Sequence, residues 1–185
     1  SYIIENIGYK DAGFWEAMTR ISNYYLMFVS SLIALYLLPR FAEINDTKEF
    51  KKEVISFYKT IIPVFALGLF ALYLLKPFVV ALFLTEKFVF VESLFGWQLL
   101  GDLIKIMSIV IAYQFIAKKM FIHFIVTELF LIVTTYFTSV YLIDMYGVKG
   151  ANMAHFVSYV LYYFIILLIF GSSLFGLIPE EIKDE

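Results

Sequence analysis

Seven polar side chains stand in otherwise apolar stretches of this sequence, at spacings that could support chemistry. They are Glu16, Arg20, Gln98, Asp102, Lys105, Glu128 and His155. Residues three or four apart share one face of a helix, so Arg20 can pair with Glu16, and Lys105 with Asp102. In apolar surroundings such side chains pair with each other, line a hydrated cavity or exchange protons.

These residues extend into polar stripes at helical spacing on four segments. The stripes comprise Glu16, Arg20, Asn23, Ser30 and Ser31; Gln98, Asp102, Lys105 and Ser108; Glu128, Thr135 and Ser139; and Asn152, His155, Tyr159 and Tyr162. A bundle of apolar helices turns such stripes towards one another or towards a watery cavity. We therefore expect the four segments to face a common interior.

Each charged residue also has a structural interpretation. Glu16 and Arg20 fit an interfacial i, i+4 ion pair, and Asp102 with Lys105 fits a buried structural pair. His155, near one end of its segment, fits a histidine satisfied by neighbours or by water. Glu128 has no cation near it in the sequence, which favours a cavity or proton-linked role.

Other kinds of site are not expected. The sequence has no cysteine, no Walker loop, no GxSxG, no HExxH and no paired His–carboxylate metal spacing. A net charge of −2 gives no global attraction to nucleic acid. We expect no bound cofactor and no metal, so any uphill work would use a proton or sodium gradient, or a coupled reaction.

The composition is that of a membrane protein. Of 185 residues, 62% are hydrophobic, 20% are aromatic and 16% are charged. An average soluble domain carries roughly 25% charged residues. A water-soluble domain of this size could not cover so much apolar surface, which nearly excludes a soluble enzyme.

Five segments reach the length of about 20 mostly apolar residues that a membrane-spanning helix needs. Spans A to E cover about 14–38, 55–75, 92–117, 120–143 and 151–177. Pro39 should end span A, because proline cannot continue a helix cheaply. Lys76-Pro77 interrupts span B, and the short apolar piece at 78–84 should lie at the interface or re-enter. The predicted fold class is an all-α integral membrane protein.

The distribution of Lys and Arg predicts the orientation of the spans. Eight of the 14 fall in the A–B connection, the C–D junction and the C-terminal tail, which alternate spans place on one side. Four fall on the other side, and Arg20 and Lys105 lie within spans. The positive-inside rule puts the richer side, and with it the C-terminus, in the cytoplasm.

The organisation predicts a fragment of a longer protein. The chain begins Ser1-Tyr2-Ile3-Ile4, with no Met and no basic signal-peptide region. Residues 1–13 are expected to connect from a missing preceding span, 14–178 to form the transmembrane lobe, and 179–185 to form a solvated cytoplasmic tail.

Several motifs carry a family resemblance. The chain contains Gly-Phe-Trp-Glu-Ala at 13–17, Leu-Tyr-Leu-Leu-Pro at 35–39 and Trp-Gln-Leu-Leu-Gly-Asp-Leu-Ile-Lys at 97–105. With the basic A–B loop, the Lys-Pro break and Tyr-Gly-x-x-Gly at 146–150, they resemble the C-terminal half of Wzx-type flippases. The nearest resemblance is to translocases of enterobacterial common antigen (lipid III) and O-antigen. The resemblance covers roughly residues 8–175, and its most specific part is 97–105.

The resemblance implies an architecture and an activity. Members of the multidrug/oligosaccharidyl-lipid/polysaccharide exporter superfamily have twelve spans in two six-helix lobes around an alternating-access cavity. Spans A to E would be the eighth to twelfth, without the seventh and the N-terminal lobe. The implied activity moves an undecaprenyl-pyrophosphate-linked oligosaccharide across the bacterial inner membrane. Implied partners are this glycan lipid, membrane lipids, the missing N-terminal lobe and polysaccharide polymerase or chain-length machinery; nucleic acid is not one.

The resemblance also assigns expected roles to the polar residues of the spans. Arg20 can bind a pyrophosphate bidentately and Lys105 as a point charge. Glu16, Asp102 and Glu128 would balance these cations or exchange protons. Gln98 and His155 complete the expected substrate cavity.

Three alternatives remain open at this stage. A drug or metabolite cation antiporter of the same superfamily would have a less cationic cavity. A membrane scaffold would not transport. A glycan polymerase or ligase would need a large periplasmic loop with Arg or His, and no loop here is long enough, so the chain is not expected to be an enzyme.

Overall fold

The computed structural model describes the backbone of residues 2–84 and 86–175, and the side chains of 8–46, 48–84 and 88–168. Within these ranges the chain forms six α-helices and one 3-10 segment. They are α1 (Tyr2–Glu43), α2 (Thr47–Leu74), α3 (Lys76–Phe83), the 3-10 segment Glu86–Ser93, α4 (Phe95–Ala117), α5 (Phe121–Tyr146) and α6 (Val148–Phe175). The predicted tail at 179–185 and the predicted end of span E at 177 lie outside the described residues.

Five of these helices are long and apolar enough to cross a membrane. Their candidate spans are Gly8–Glu43, Lys48–Leu74, Phe95–Ala117, Phe121–Tyr146 and Val148–Leu168. Even the shortest, of 21 residues, rises about 32 Å, which matches the roughly 30 Å thickness of the hydrocarbon core. The predicted fold class, an all-α membrane protein, is confirmed.

The expectation that Pro39 ends the first span is wrong. α1 continues through Pro39 to Glu43, and the Ile44 N–H still donates to the Arg40 carbonyl at 3.3 Å. Proline removes one backbone hydrogen bond and crowds the preceding turn, but tertiary packing holds the end of this helix. Phe41 is fully buried and meets Phe50 of α2 edge to face, with ring centroids 4.8 Å apart.

The backbone also breaks near the start of α1 and at the end of α2. Gly8 has φ 81° and ψ 167°, which divides α1 into a short first piece and a long second one. α2 ends at Leu74, and α3 begins at Lys76 with Pro77 in its first turn, where the missing N–H of proline costs nothing. The eight residues of α3 rise only about 12 Å and cannot span a bilayer.

α4 lies at the centre of the bundle, against α1, α2 and α6. Half of its most apolar 18-residue stretch is buried, against 6% for α5, which packs mainly on α6. Two apolar clusters line the α1–α4 contact. One contains Leu26, Leu37 and Phe41 of α1, and the other contains Phe14 and Met18 at its opposite end. A layer of polar side chains lies between the two clusters.

Candidate functional site

The carboxylate of Asp102 is the centre of the polar layer. Its side chain is fully buried on α4. The Ser22 hydroxyl donates to Asp102 Oδ2 at 2.5 Å, and the Tyr25 hydroxyl donates to the same oxygen. His155 Nε2 of α6 lies 2.8 Å from Asp102 Oδ1. A carboxylate accepts about four hydrogen bonds, so Asp102 links α1, α4 and α6 at one point.

Two side-chain amides extend this layer. Gln98 Nε2 donates to Ser22 Oγ at 3.1 Å and to Asp102 Oδ1 at 3.2 Å, while Asn152 Nδ2 donates to Gln98 Oε1 at 2.7 Å. Asn152 Oδ1 is buried and has no hydrogen-bonding partner among the described residues. The layer is thus almost completely satisfied, as a polar group in an apolar bundle requires.

The sequence suggested an ion pair between Asp102 and Lys105. This prediction is wrong, because each of the two side chains contacts a different partner. Among the described residues, the basic side chain in contact with Asp102 is that of His155, whose Nε2 lies 2.8 Å from Oδ1. The Lys105 ammonium instead lies 5.4 Å from the ring centroid of Tyr159 on α6, within cation–π distance. Because Asp102 is occupied by other donors, Lys105 is left to face the neighbouring cavity.

That cavity, of about 630 Å³, lies next to the polar layer. Its polar lining comes from four helices. It comprises Thr19, Ser22 and Asn23 of α1, Gln98 and Lys105 of α4, Thr135, Tyr136 and Ser139 of α5, and His155 and Tyr159 of α6. Parts of all four sequence stripes therefore meet here. A volume of this size fits the range of small-molecule binding sites, and its described wall carries one ammonium group beside hydroxyls and amides.

Three sequence-predicted site residues lie elsewhere. Arg20 Nη2 pairs with Glu16 Oε1 at 2.6 Å, with side chains 70% and 59% exposed. Both line a separate cavity of about 620 Å³ beside Phe83 and Phe88. Glu128 of α5 accepts a hydrogen bond from the Tyr162 hydroxyl at 2.7 Å. The structure therefore brings Gln98, Asp102, Lys105 and His155 together, and not Glu16, Arg20 or Glu128.

Two members of the polar layer, Ser22 and Tyr25, were not among the predicted site residues. Our polar stripe on α1 followed Glu16 and Arg20, whereas Ser22 lies on the opposite, buried face. The sequence did contain a signal for Ser22. Phe14, Met18 and Ser22 follow one another at intervals of four residues, and all three lie on the buried face of α1. A hydroxyl that interrupts the buried apolar repeat of a membrane helix indicates a partner on a neighbouring helix.

The residues that the structure describes do not form a metal-binding site. Among the described residues, no three His, Asp or Glu side chains come close enough to hold an ion. Asp102 and His155 are neighbours; the other donors to Asp102 are hydroxyl and amide groups of α1 and α4, and the His155 ring meets the Tyr159 ring edge to face. The arrangement supports a hydrogen-bonded network across the three helices.

Comparison with known proteins gives two relatives. Over 155 residues the chain is 30% identical to the lipid III flippase of Escherichia coli (strain K12) and, equally, to that of Shigella flexneri. Each match covers 84% of this chain, and the chain spans 37% of the length of each curated relative. No protein-family model matches the chain, and no solved structure is similar to it. The resemblance indicated by the motifs at 13–17 and 97–105 is confirmed.

Proposed function

Since the chain is a relative of the Wzx-type flippases, we propose that it is part of a transporter that translocates a lipid-linked oligosaccharide. The observation that carries this proposal is the match with the two lipid III flippases. The substrate would be an undecaprenyl-pyrophosphate-linked repeat unit of a surface polysaccharide, such as O-antigen or a related glycan. The chain would supply one part of the transport path, and the rest of the protein would supply the remainder.

The polar groups that line the cavity beside Asp102 support this proposal on physical grounds. A glycan head group must cross about 30 Å of hydrocarbon, and an apolar bundle would oppose it at every step. The cavity next to Asp102 offers hydroxyl, amide and imidazole groups from four helices. These groups can replace water around a sugar hydroxyl while the lipid tail stays in the bilayer.

Lys105 is the residue that we assign to the pyrophosphate. It lines the cavity, and its ion-pair position beside Asp102 is taken by His155. An ammonium on a flexible stem can follow a moving phosphate as a point charge. Arg20 is the weaker candidate, because its guanidinium already binds Glu16 at 2.6 Å.

Coupling of transport to an ion gradient would take place at the contact between the Asp102 carboxylate and the His155 imidazole. We propose that protons exchange at Asp102 and His155, because a carboxylate and an imidazole 2.8 Å apart can pass a proton along the hydrogen bond between them. Sodium would serve only where more oxygen ligands approach Asp102 from the remainder of the protein.

The proposed location follows from the proposed substrate. Five apolar helices make the chain a multi-pass membrane protein, and an undecaprenyl-linked precursor would place it in the bacterial inner membrane. We further propose a cytoplasmic C-terminus from the distribution of Lys and Arg. Enzymes that polymerise the glycan or set its length would act on the translocated product.

Deletion and complementation test the function. Deleting the gene should remove surface polysaccharide and cause lipid-linked oligosaccharide to accumulate in the membrane. Restoring the full gene should reverse both. The Lys105→Ala variant should restore little glycan and Lys105→Arg should restore more, because arginine keeps the positive charge. Glycan can be measured on gels and precursor lipid by mass spectrometry.

The control is Lys149→Ala, which removes a lysine that lies over the Phe90 ring and is not part of the cavity lining. With all variants present at equal levels, it should restore wild-type glycan. Unchanged glycan with new drug sensitivity after deletion would instead indicate an antiporter. Full restoration of glycan by Lys105→Ala would contradict the role of Lys105 in transport and favour a scaffold.

A further inference from the structure

A cluster of lysines occupies the first three turns of α2, away from the polar cavity. Lys48, Lys51, Lys52 and Lys59, with Ile55 and Ser56, line a shallow depression of about 480 Å³. Lys48, Lys52 and Lys59 are exposed. We call this surface the lysine face.

Helical geometry places these residues on the outside of the bundle. At 100° per residue, Lys59 returns to within about 20° of Lys48 after three turns, roughly 17 Å along the axis. The opposite side of the same turns carries Phe50, Val54 and Phe57, all buried against the bundle. The lysine face therefore points away from the helices that the structure describes.

The acidic residues of these turns lie towards α1. Arg40 contacts Glu49 at 3.3 Å and Glu53 at 3.5 Å, and the Tyr36 hydroxyl donates to Glu53 at 2.8 Å. Both carboxylates are thus bound by side chains of α1. The carboxylates of Glu49 and Glu53 are therefore directed towards α1 and not towards Lys48, Lys52 and Lys59.

The same side of α2 becomes apolar further along the helix. Phe70 and Tyr73 recur at the angular position of Lys48 and Lys59, and both are exposed. An exposed apolar stripe on a spanning helix is suited to contact with lipid tails, which would place the lysine-bearing end of α2 at the depth of the lipid head groups.

We propose that the lysine face is a binding site for the phosphate groups of anionic phospholipids. Basic clusters next to a spanning helix attract anionic lipids, and several lysines over about 17 Å can contact more than one phosphate. Lysine is a point charge without the planar fork of arginine. The site should therefore select lipids by head-group charge, with cardiolipin above phosphatidylglycerol and both above phosphatidylcholine.

Native mass spectrometry of the intact protein tests the site. The protein would be incubated with equal amounts of cardiolipin, phosphatidylglycerol and phosphatidylcholine. The triple variant Lys48→Gln, Lys52→Gln, Lys59→Gln should bind cardiolipin about a hundredfold more weakly. Phosphatidylcholine binding should not change. In the wild-type protein, 0.5 M salt should reduce the cardiolipin preference in the same way, because salt screens exposed charges.

The matched control also removes three lysine charges, but from positions outside the lysine face. Lys10→Gln, Lys76→Gln and Lys149→Gln replace lysines that lie over aromatic rings of Phe14, Tyr73 and Phe90. This variant should keep the cardiolipin preference. Equal loss in both triple variants, or no loss in the first, would overturn the proposal.

A third measurement distinguishes anionic phospholipids from prenyl-linked phosphates as the ligands of the lysine face. If undecaprenyl phosphate binds through the same lysines while cardiolipin and phosphatidylcholine are not distinguished, the face belongs to prenyl-lipid substrates and the proposal is wrong. The measurement needs no transport, so its failure leaves the proposed flippase function untouched, and the reverse also holds.

Discussion

Gly101 is what allows the central carboxylate and imidazole to meet. A Cβ built at this position would lie 2.3 Å from His155 Cδ2 and 3.2 Å from the Cα of Phe156. Only the absence of a side chain lets α6 approach α4 so closely, a role that small residues commonly have between membrane helices. Gly101 directly precedes Asp102 in the sequence. It affects the contacts of Asp102 indirectly, because it allows α6 and its His155 to approach α4.

We predict that Gly101→Ala destabilises the protein and that Gly96→Ala does not. Both substitutions gain the same helix propensity, but a Cβ at Gly96 meets its nearest atom at 3.9 Å. Overpacking at Gly101 should cost about 1–3 kcal/mol. Thermal unfolding of both variants in the same detergent measures the difference, and equal midpoints would show that α6 shifts without cost.

The residue-scale prediction from sequence was correct about which part of α4 matters and wrong about pairing. The motif at 97–105 contains Gln98, Asp102 and Lys105, and all three reach the polar layer or its cavity. Helical spacing finds neighbours on one helix, so it suggested Asp102 with Lys105. The actual partner, His155, is 53 positions away, and only helix packing reveals it.

At the scale of elements, the α5–α6 connection is a tight antiparallel turn. Gly147 has φ 61°, a left-handed conformation that favours glycine, and its N–H donates to the Ile143 carbonyl at 2.8 Å. One turn into α6, a Cβ on Gly150 would lie 2.0 Å from the Leu142 carbonyl oxygen. Further along, Thr138 Oγ1 and Ser158 Oγ are 2.8 Å apart, so the two helices stay close.

We predict that Gly150→Ala separates α5 from α6, because the obstructing atom belongs to the backbone and cannot rotate away. The chain has no cysteine, so Thr138→Cys with Ser158→Cys gives a clean disulfide probe of the helix distance. Oxidation should form this disulfide readily alone and in combination with Gly68→Ala, whose Cβ would meet nothing within 4 Å. Combination with Gly150→Ala should slow it. Equal rates would contradict the close packing.

The sequence predicted the five membrane-spanning helices, but it did not predict where every helix ends. Apolar stretches of about 20 residues define spans without tertiary information, because each span must satisfy its own backbone inside lipid. The end of α1 depended on contacts that composition does not show. Phe41 packs on Phe50 and Arg40 binds two carboxylates of α2, and these contacts outweigh the local effect of Pro39.

At the scale of the whole molecule, two loops mark one end. Lys118, after α4, donates to the carbonyl of Ile44, and its ammonium lies 3.4 Å from Asn45 Oδ1. Burial lowers the pKa of Lys118. The α1–α2 and α4–α5 loops therefore lie together, as alternating spans require.

We predict that this end faces the cytoplasm, because the positive-inside rule favours the side richer in Lys and Arg. Single cysteines at Asn45 and Lys149 can be labelled with a membrane-impermeant maleimide. From outside, in cells with a permeabilised outer membrane, Lys149→Cys should react and Asn45→Cys should not. Inverted membrane vesicles should give the reverse result. Labelling of Asn45→Cys from outside would reverse the orientation.

The polar layer between the two apolar clusters has a mechanical consequence. Apolar helix contacts tolerate sliding, but a slide of α1 by one turn would carry Ser22 about 5.4 Å from Asp102 and leave a buried carboxylate without its donors. The cost of such an unpaired group in lipid opposes that motion. Helices α1, α4 and α6 should consequently keep a fixed register and move as one rigid unit. Because α5 is held against α6 by its tight turn and by the Thr138–Ser158 contact, any rearrangement within this chain falls to α2 and α3.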